Sequence, residues 1–326
     1  MKFASEEEFV QWLKARIPRK TRGMRLGIGD DAALIAPTSG AEFMVTNDMS
    51  IEGIHFLPRM HPPEAVGHRA LTRPLSDVAA MGGRPRFAFV GLALSRRASY
   101  EWVELFLSGF WRLARRFRVT MLGGDTAWGA AKTMVDVVVL GDCPSGKALL
   151  RSGARPGDQV YVAGELGESA LGLRALRTGR KAPDAVQAHL YPEPQCALGR
   201  FLRDRSLASA AIDLSDGLST DLCRLCEASQ VGARIVAEAV PYPRLPDSLH
   251  NSRAQLLSFA LNGGEDYRLL FTASPGNAAK LPASFHGIRL FKIGEITRSR
   301  ARTLVDADGE EKPLAARGYD HFGKSR

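Results

Sequence analysis

Repeatedly along this chain an apolar run gives way to an acidic residue beside glycine, serine or threonine. The instances are Gly29-Asp30-Asp31, Asn47-Asp48, Ser76-Asp77, Gly123-Gly124-Asp125-Thr126, Asp213-Leu214-Ser215-Asp216-Gly217 and Gly263-Gly264-Glu265-Asp266. Apolar runs of strand length, punctuated in this way and separated by helical patterns, dictate an α/β architecture whose element ends carry carboxylates. Glycine lets the backbone approach a ligand closely and permits turns that a side chain would block. Clustered carboxylate oxygens suit a hard divalent cation such as Mg²⁺, held together with water and substrate phosphates. Without a cation, convergent carboxylates would repel one another and partly protonate, so convergence implies metal. Any one cluster alone reads more simply as turn chemistry or a helix N-cap. Their recurrence is what argues for a site.

The element pattern supports two domains. Ser5 and Glu8 form a capping box ahead of Phe9, Val10, Leu13 and Ile17 at helical spacing. A strand is expected near 42–46, then a helix opened by Pro62-Pro63 and closed by Gly82-Gly83. Pro74 lies inside that helix and predicts a kink or restart there. Phe87–Leu94 reads as a buried strand, Ser99–Phe117 as an amphipathic helix, and Val119–Leu122 and Met134–Leu140 as strands. Arg151–Asp158, rich in Gly and Pro, is the best linker, so domains are expected at 1–148 and 149–326. Beyond it come strand Val160–Ala163, helices near 167–178 and 194–204, strand Ala208–Ile212 and helix 216–229. Strands Tyr267–Phe271 and Leu290–Ile293 follow. At 326 residues and 45% hydrophobic content, each half can bury a core.

Several function classes are disfavoured. No uncharged apolar run reaches the ~18 residues of a membrane span, and the first residues lack a secretory apolar core, so a cytoplasmic protein is expected. Cys143, Cys196, Cys223 and Cys226 are too few for a disulfide framework, and the Cys223/Cys226 pair has no second half-site for zinc. The net charge of +9 comes from scattered arginines without a Lys/Arg block or aromatic ladder. Attraction of anionic substrates explains it as well as nucleic acid does. Gly27-Ile-Gly29-Asp30-Asp31-Ala32 imitates a dinucleotide loop but places two acids where a pyrophosphate would lie. Gly141 to Ala148 nearly spells a P-loop but has Ala148 where Mg²⁺ needs a hydroxyl. Ser215 lacks the glycine two residues earlier that a nucleophile elbow requires.

In order along the chain, GIGDDAAL, NDMSIEGIHF, LSDVAAMGGRP, LGGDTAWG, LLRSGARPGDQVYVAGELGESALGL, AIDLSDGLSTDL, LNGGEDYRLLFT, IGEI and GYDHF resemble the thiamine-monophosphate kinase family. That family sits in a superfamily with aminoimidazole ribonucleotide synthetase, selenophosphate synthetase and a hydrogenase-maturation protein. The resemblance implies two α/β domains of the aminoimidazole ribonucleotide synthetase-like fold, a homodimer paired through its N-terminal domains, and ATP with Mg²⁺ among clustered carboxylates. It implies metal ligation by Asp31, Thr46, Asn47, Asp48, Asp77, Asp125, Asp213 and Asp216. It implies ATP contacts from Gly124, Asp125, Arg151 and Ser215, and thiamine monophosphate contacts from His55, Glu265 and Tyr319. Asp48, Asp125, Asp216 and Arg151 would carry the phosphoryl transfer. One departure stands out, because the family usually reads Ser-Thr-Asp-Thr where this chain has Thr46-Asn47-Asp48-Met49. The alternatives are another ATP-using member, such as aminoimidazole ribonucleotide synthetase, or a non-catalytic nucleotide-binding regulator.

Overall fold

The computed structural model describes residues 6–17, 21–28, 33–243 and 252–319. Two compact units divide the chain: residues 1–78 with 83–147, and residues 79–82 with 148–326.

The first unit contains α1 (Glu6–Lys14), β1 (Met24–Leu26), β2 (Leu34–Ile35), β3 (Ala41–Ile51), most of α2 (Pro63–Ala80), β4 (Arg84–Ser95), α3 (Tyr100–Phe117), β5 (Thr120–Ala130) and β6 (Met134–Pro144). Its main sheet has the order β3-β6-β4-β5, with only β4 and β5 parallel. Strand residues alternate between faces. On one face Val135, Val137, Val139, Val90 and Leu92 are buried, as are Val66, Ala70, Leu71, Leu75, Phe106 and Phe110 of α2 and α3. The two helices cross closely, since a Cβ at Gly67 would lie 1.9 Å from the Phe106 carbonyl oxygen. The opposite face carries Phe43, Val45, Asn47 and Met49 of β3, all exposed.

Three expectations change here. α2 runs unbroken through Pro74 rather than restarting. A proline inside a helix removes a backbone hydrogen bond and crowds the preceding turn, at a cost of about 3 kcal/mol, and complete burial of Ala70, Leu71 and Leu75 around it offsets that cost. β3 extends well past residue 46, so Asn47-Asp48 lies mid-strand. β5 likewise continues through Gly123-Gly124-Asp125 instead of ending before them. Ser99 caps α3 through a 3.0 Å bond from the Trp102 amide; the Ser5 cap lies outside the described residues.

The second unit contains β7 (Gln159–Ala163), α4 (Glu168–Thr178), α5 (Pro183–Leu190), α6 (Cys196–Asp204), β8 (Ala210–Leu214), α7 (Leu218–Ser229), β9 (Gly232–Val236), α8 (Arg253–Asn262), β10 (Arg268–Ala273), α9 (Pro275–Ala278), β11 (Ser284–Phe285), β12 (Ile288–Thr297), β13 (Arg302–Val305) and β14 (Glu311–Pro313). Its sheet has the order β14-β13-β9-β12-β7-β10-β8, with β11 hairpinned onto β12. Ile212, Leu214, Leu218, Leu222, Leu225, Val160, Val162, Ile235 and Leu270 form its core. β9, α5 and α8 are not among the elements expected from the sequence. Among the described residues, no helix is long and apolar enough to cross a membrane.

Candidate active site

In the first unit β3 and α2 bring together four of the polar side chains. Thr46 and Asp48 are two apart on a strand and so share a face, while Arg73 and Asp77 are four apart on a helix and share another. The Thr46 hydroxyl donates to Asp77 Oδ2, and Arg73 Nε lies 3.4 Å from Asp48 Oδ1. Asn47, between the two β3 partners, is exposed on the opposite face. Asp125 is also exposed, and its Oδ1 accepts from the Thr126 amide at 2.8 Å. β5 is two strands removed from β6, the neighbour of β3, so this unit does not bring Asp125 to Asp48. Gly124 has a local reason for being glycine. A Cβ there would stand 1.9 Å from the Val90 carbonyl oxygen on the paired strand.

EGIHF forms a tight loop after β3. The Gly53 amide donates to the Phe56 carbonyl at 2.8 Å, and Glu52 Oε2 accepts from the Thr133 amide at 2.9 Å. His55 is half-buried, and its Nδ1 accepts from the Ile51 amide at 3.0 Å, which places the proton of a neutral ring on Nε2. Asp31 lies outside the described residues.

In the second unit, three segments distant in sequence meet. β8 ends at Leu214, and Ser215-Asp216-Gly217 turns into α7. The Ser215 carbonyl accepts from the Glu265 amide at 2.8 Å, the Leu214 carbonyl from Tyr267 at 2.9 Å, and the Asp216 carbonyl from Tyr319 at 3.1 Å. A Cβ at Gly318 would stand 2.0 Å from the Asp216 carbonyl oxygen, so the C-terminal segment comes this close only with glycine there. Glu265 and Tyr267 both hold positive φ, 67° and 52°. Asp213 is buried at the end of β8, whereas Tyr319 is exposed.

The electrostatics of this turn centre on Arg224. Its Nη1 is 2.5 Å from Asp216 Oδ2 and 2.8 Å from Asp221 Oδ1. Asp221 Oδ2 accepts from the Asp216 and Gly217 amides at 2.9 and 3.1 Å, closing the start of α7 where Gly217 has no side chain to cap it. Burial, with the nearby Asp216 charge, pushes the Asp221 carboxyl up to about 6, against the opposing pull of the Asp216 amide and Arg224. Sequence reasoning missed Arg73, Asp221 and Arg224. Their signal was position relative to acids already singled out: Arg73 four before Asp77, and Asp221 and Arg224 five and eight after Asp216.

Arg151 stands apart from this group within its unit. Its carbonyl accepts from the Ser229 hydroxyl at the last residue of α7, while Asp216 precedes the first. Twelve helical residues separate the two by roughly 18 Å.

The donor set fits Mg²⁺. Carboxylate and hydroxyl oxygens are the ligands a hard cation takes, and Mg²⁺ uses one or two protein carboxylates, completing its shell with water and phosphate. Among the described residues no three His, Cys, Asp or Glu side chains stand together as a metal cage. Asp48 and Asp77, carried by the adjoining β3 and α2, are the size of contribution that mode requires.

Residues 29–143 match the AIR synthase related protein N-terminal domain and residues 155–306 its C-terminal domain. The thiamine-monophosphate kinase of Escherichia coli (strain K12) is 37% identical over 317 residues, covering 94% of this chain and 95% of that protein. The crystal structure of thiamine-monophosphate kinase from Stenotrophomonas maltophilia K279a is 32% identical with a TM-score of 0.81, covering 95% of this chain and 98% of that one. A solved structure of AaThiL complexed with AMPPCP and TMP has a TM-score of 0.76 at 29% identity, covering 99% and 98%. Both halves of the chain are thus accounted for by one lineage, and the chain belongs to the thiamine-monophosphate kinase family, with the AIR synthase-like fold.

Proposed function

We propose that this chain transfers the γ-phosphoryl group of ATP to the phosphate of thiamine monophosphate, yielding thiamine diphosphate and ADP. The observation that carries this reading is the meeting of Ser215-Asp216, Glu265 and Tyr319 in one backbone-bonded turn of the second unit. Full-length similarity to thiamine-monophosphate kinases, and to a structure complexed with AMPPCP and TMP, supports it.

The chemistry needs little from a base. A phosphate monoester with a second pKa of about 6 is largely dianionic near neutrality and is already a nucleophile. The task is to align two polyanions and suppress their repulsion. Asp31, Asp48, Asp77, Asp125, Asp213 and Asp216, with oxygens from Thr46 and the main chain of Asn47, would hold Mg²⁺. When bound, magnesium neutralises phosphate charge and fixes the line of transfer. Arg73 and the Thr46 hydroxyl fix the rotamers of Asp48 and Asp77, and Arg224 fixes Asp216. Gly124 and Ser215 would present backbone to ATP, and Arg151 would add a positive charge. His55, Glu265 and Tyr319 would contact thiamine monophosphate, the tyrosine face stacking on a heteroaromatic ring.

The exposed β3 face of Phe43, Val45 and Met49 suits pairing with a second copy, making the enzyme a homodimer through residues 1–148, while 149–326 complete the substrate site. An exposed sheet face that is mostly apolar, interrupted here only by Asn47 on β3, is a surface that proteins cover. A reducing cytoplasm is the natural setting for its free thiols.

The test is incubation with Mg-ATP and thiamine monophosphate, with product read as fluorescence after oxidation. Thiamine diphosphate should accumulate, and free thiamine should be a poor acceptor. Equal use of free thiamine would overturn the assignment of the acceptor.

A further inference from the structure

α4 begins without a cap of its own. Its N-cap residue is Gly167, which has no side chain to accept from the first-turn amides. The acceptor comes instead from Asp266, far along the chain. Asp266 Oδ2 takes the Gly167 amide at 2.6 Å, and Oδ1 takes the Ser169 amide at 3.0 Å. Asp266 is buried at 7% exposure, so its carboxylate is satisfied by fixed protein donors. The residues on either side of it face the other way. The Glu265 amide bonds the Ser215 carbonyl and the Tyr267 amide bonds the Leu214 carbonyl, both residues in the left-handed region. Left-handed backbone is unfavourable for residues with a Cβ and persists only where surroundings hold it. The centre of this crank is the Asp266 carboxylate, anchored in the start of α4.

We infer that Asp266 is a positioning residue for substrate: by capping α4 it locks the 265–267 crank and so aims Glu265 at thiamine monophosphate. This rests on the proposed role of Glu265. An arrangement that merely terminated a helix would place no demand on the residues flanking the capping acid. Here both flanking residues are held in a costly conformation against the turn that carries Asp216. Ion pairing next door reinforces the anchor, Arg268 Nη2 meeting Glu168 Oε2 at 2.9 Å. Burial pushes the Asp266 carboxyl up to about 6 despite the two amides, as expected of a carboxylate kept inside for its geometry.

Three variants test this. Asp266→Asn keeps the shape but presents an NH₂ group to one of the two amides. Ser169→Pro removes the second amide from the other side, at a first-turn position where proline is tolerated. Ser169→Ala removes only the hydroxyl and is the control. In Asp266→Asn and Ser169→Pro the KM for thiamine monophosphate should rise tenfold or more, with the KM for ATP within twofold. Hydrogen exchange at the Glu265 and Tyr267 amides should accelerate in both, and Ser169→Ala should resemble wild type in all three. Folded Asp266→Asn with both KM values unchanged and both amides still protected overturns the inference. So does a parallel loss against both substrates, which would mark a purely structural role. If wild type makes no thiamine diphosphate, the functional reading falls, and the exchange data alone decide whether the lock exists.

Discussion

The Tyr319 amide donates to the Asp216 carbonyl at 3.1 Å, binding the chain's C-terminal segment to the DLSDG turn. The bond uses backbone atoms, and the side chain is 47% exposed. Tyr319→Ala should therefore keep the segment in place and remove only the aromatic face. Stacking on a cationic heteroaromatic ring contributes about 0.5–2 kcal/mol, so the KM for thiamine monophosphate should rise roughly 2- to 30-fold. The KM for ATP should hardly move. Steady-state kinetics in each substrate checks this, and equal effects on both would indicate packing.

Asp48→Asn, Asp125→Asn and Asp216→Asn should each lower turnover at least a hundredfold, a loss of about 3 kcal/mol of transition-state stabilisation. Stability should change little, because Asp48 and Asp216 are partly exposed and their Arg73 and Arg224 pairs are screened. Circular dichroism separates the two effects. Near wild-type rates in all three would remove the carboxylates from the mechanism.

The departure at Asn47 should be tolerated. Asn47 and Met49 lie on the exposed face of β3, whereas Thr46 and Asp48 face Asp77 and Arg73. Asn47→Thr should change the rate less than tenfold, about 1.4 kcal/mol, with at most a shifted magnesium midpoint in a titration. On the same face, Val45→Glu should convert a dimer to monomers in sedimentation or size-exclusion measurements. A hundredfold gain from Asn47→Thr would show a damaged metal site.

The sequence showed more of the second unit's site than of the first's. DLSDG and GGEDY announced themselves because each interrupts an apolar run, and the structure joins them through Ser215 and Glu265. Asn47-Asp48 and Gly124-Asp125 gave the opposite impression. They resemble strand ends, yet β3 and β5 pass through them, since pairing with β6 and β4 outweighs the low strand propensity of Asn, Asp and Gly. Pro74 misled for a similar reason, as burial of α2 overrode a local breaker. Asp221 and Asp266 were illegible as caps, because each serves a glycine-started helix and, for Asp266, one distant in sequence. No window of sequence contains that relationship.

Asp142 anchors the segment leading toward Asp31. It accepts from Arg84 Nε at 3.0 Å, from Thr38 at 2.8 Å and from Arg86, whose other nitrogen holds the Arg22 carbonyl at 2.7 Å. Burial raises its carboxyl, but the hydrogen bonds from Arg84, Thr38 and Arg86 outweigh this and hold it below the ordinary carboxylate range. A depressed carboxyl stabilises the fold fully above its unfolded pKa of about 3.9, and that contribution fades as pH falls through the folded value. Asp142→Asn should cost about 2 kcal/mol at pH 7, less than the ~3–5 of a fully buried pair because Arg84 is half-exposed. The difference from wild type in denaturant melts should shrink below pH 4. A gap independent of pH would mean the charge contributes nothing.

The most direct test of the central claim is phosphorus NMR of purified protein with Mg-ATP and thiamine monophosphate. The monoester resonance should disappear as the two coupled resonances of thiamine diphosphate appear, one product for each ADP, with no free phosphate. Release of inorganic phosphate without thiamine diphosphate, or ATP turnover with formylglycinamidine ribonucleotide and none with thiamine monophosphate, would contradict it.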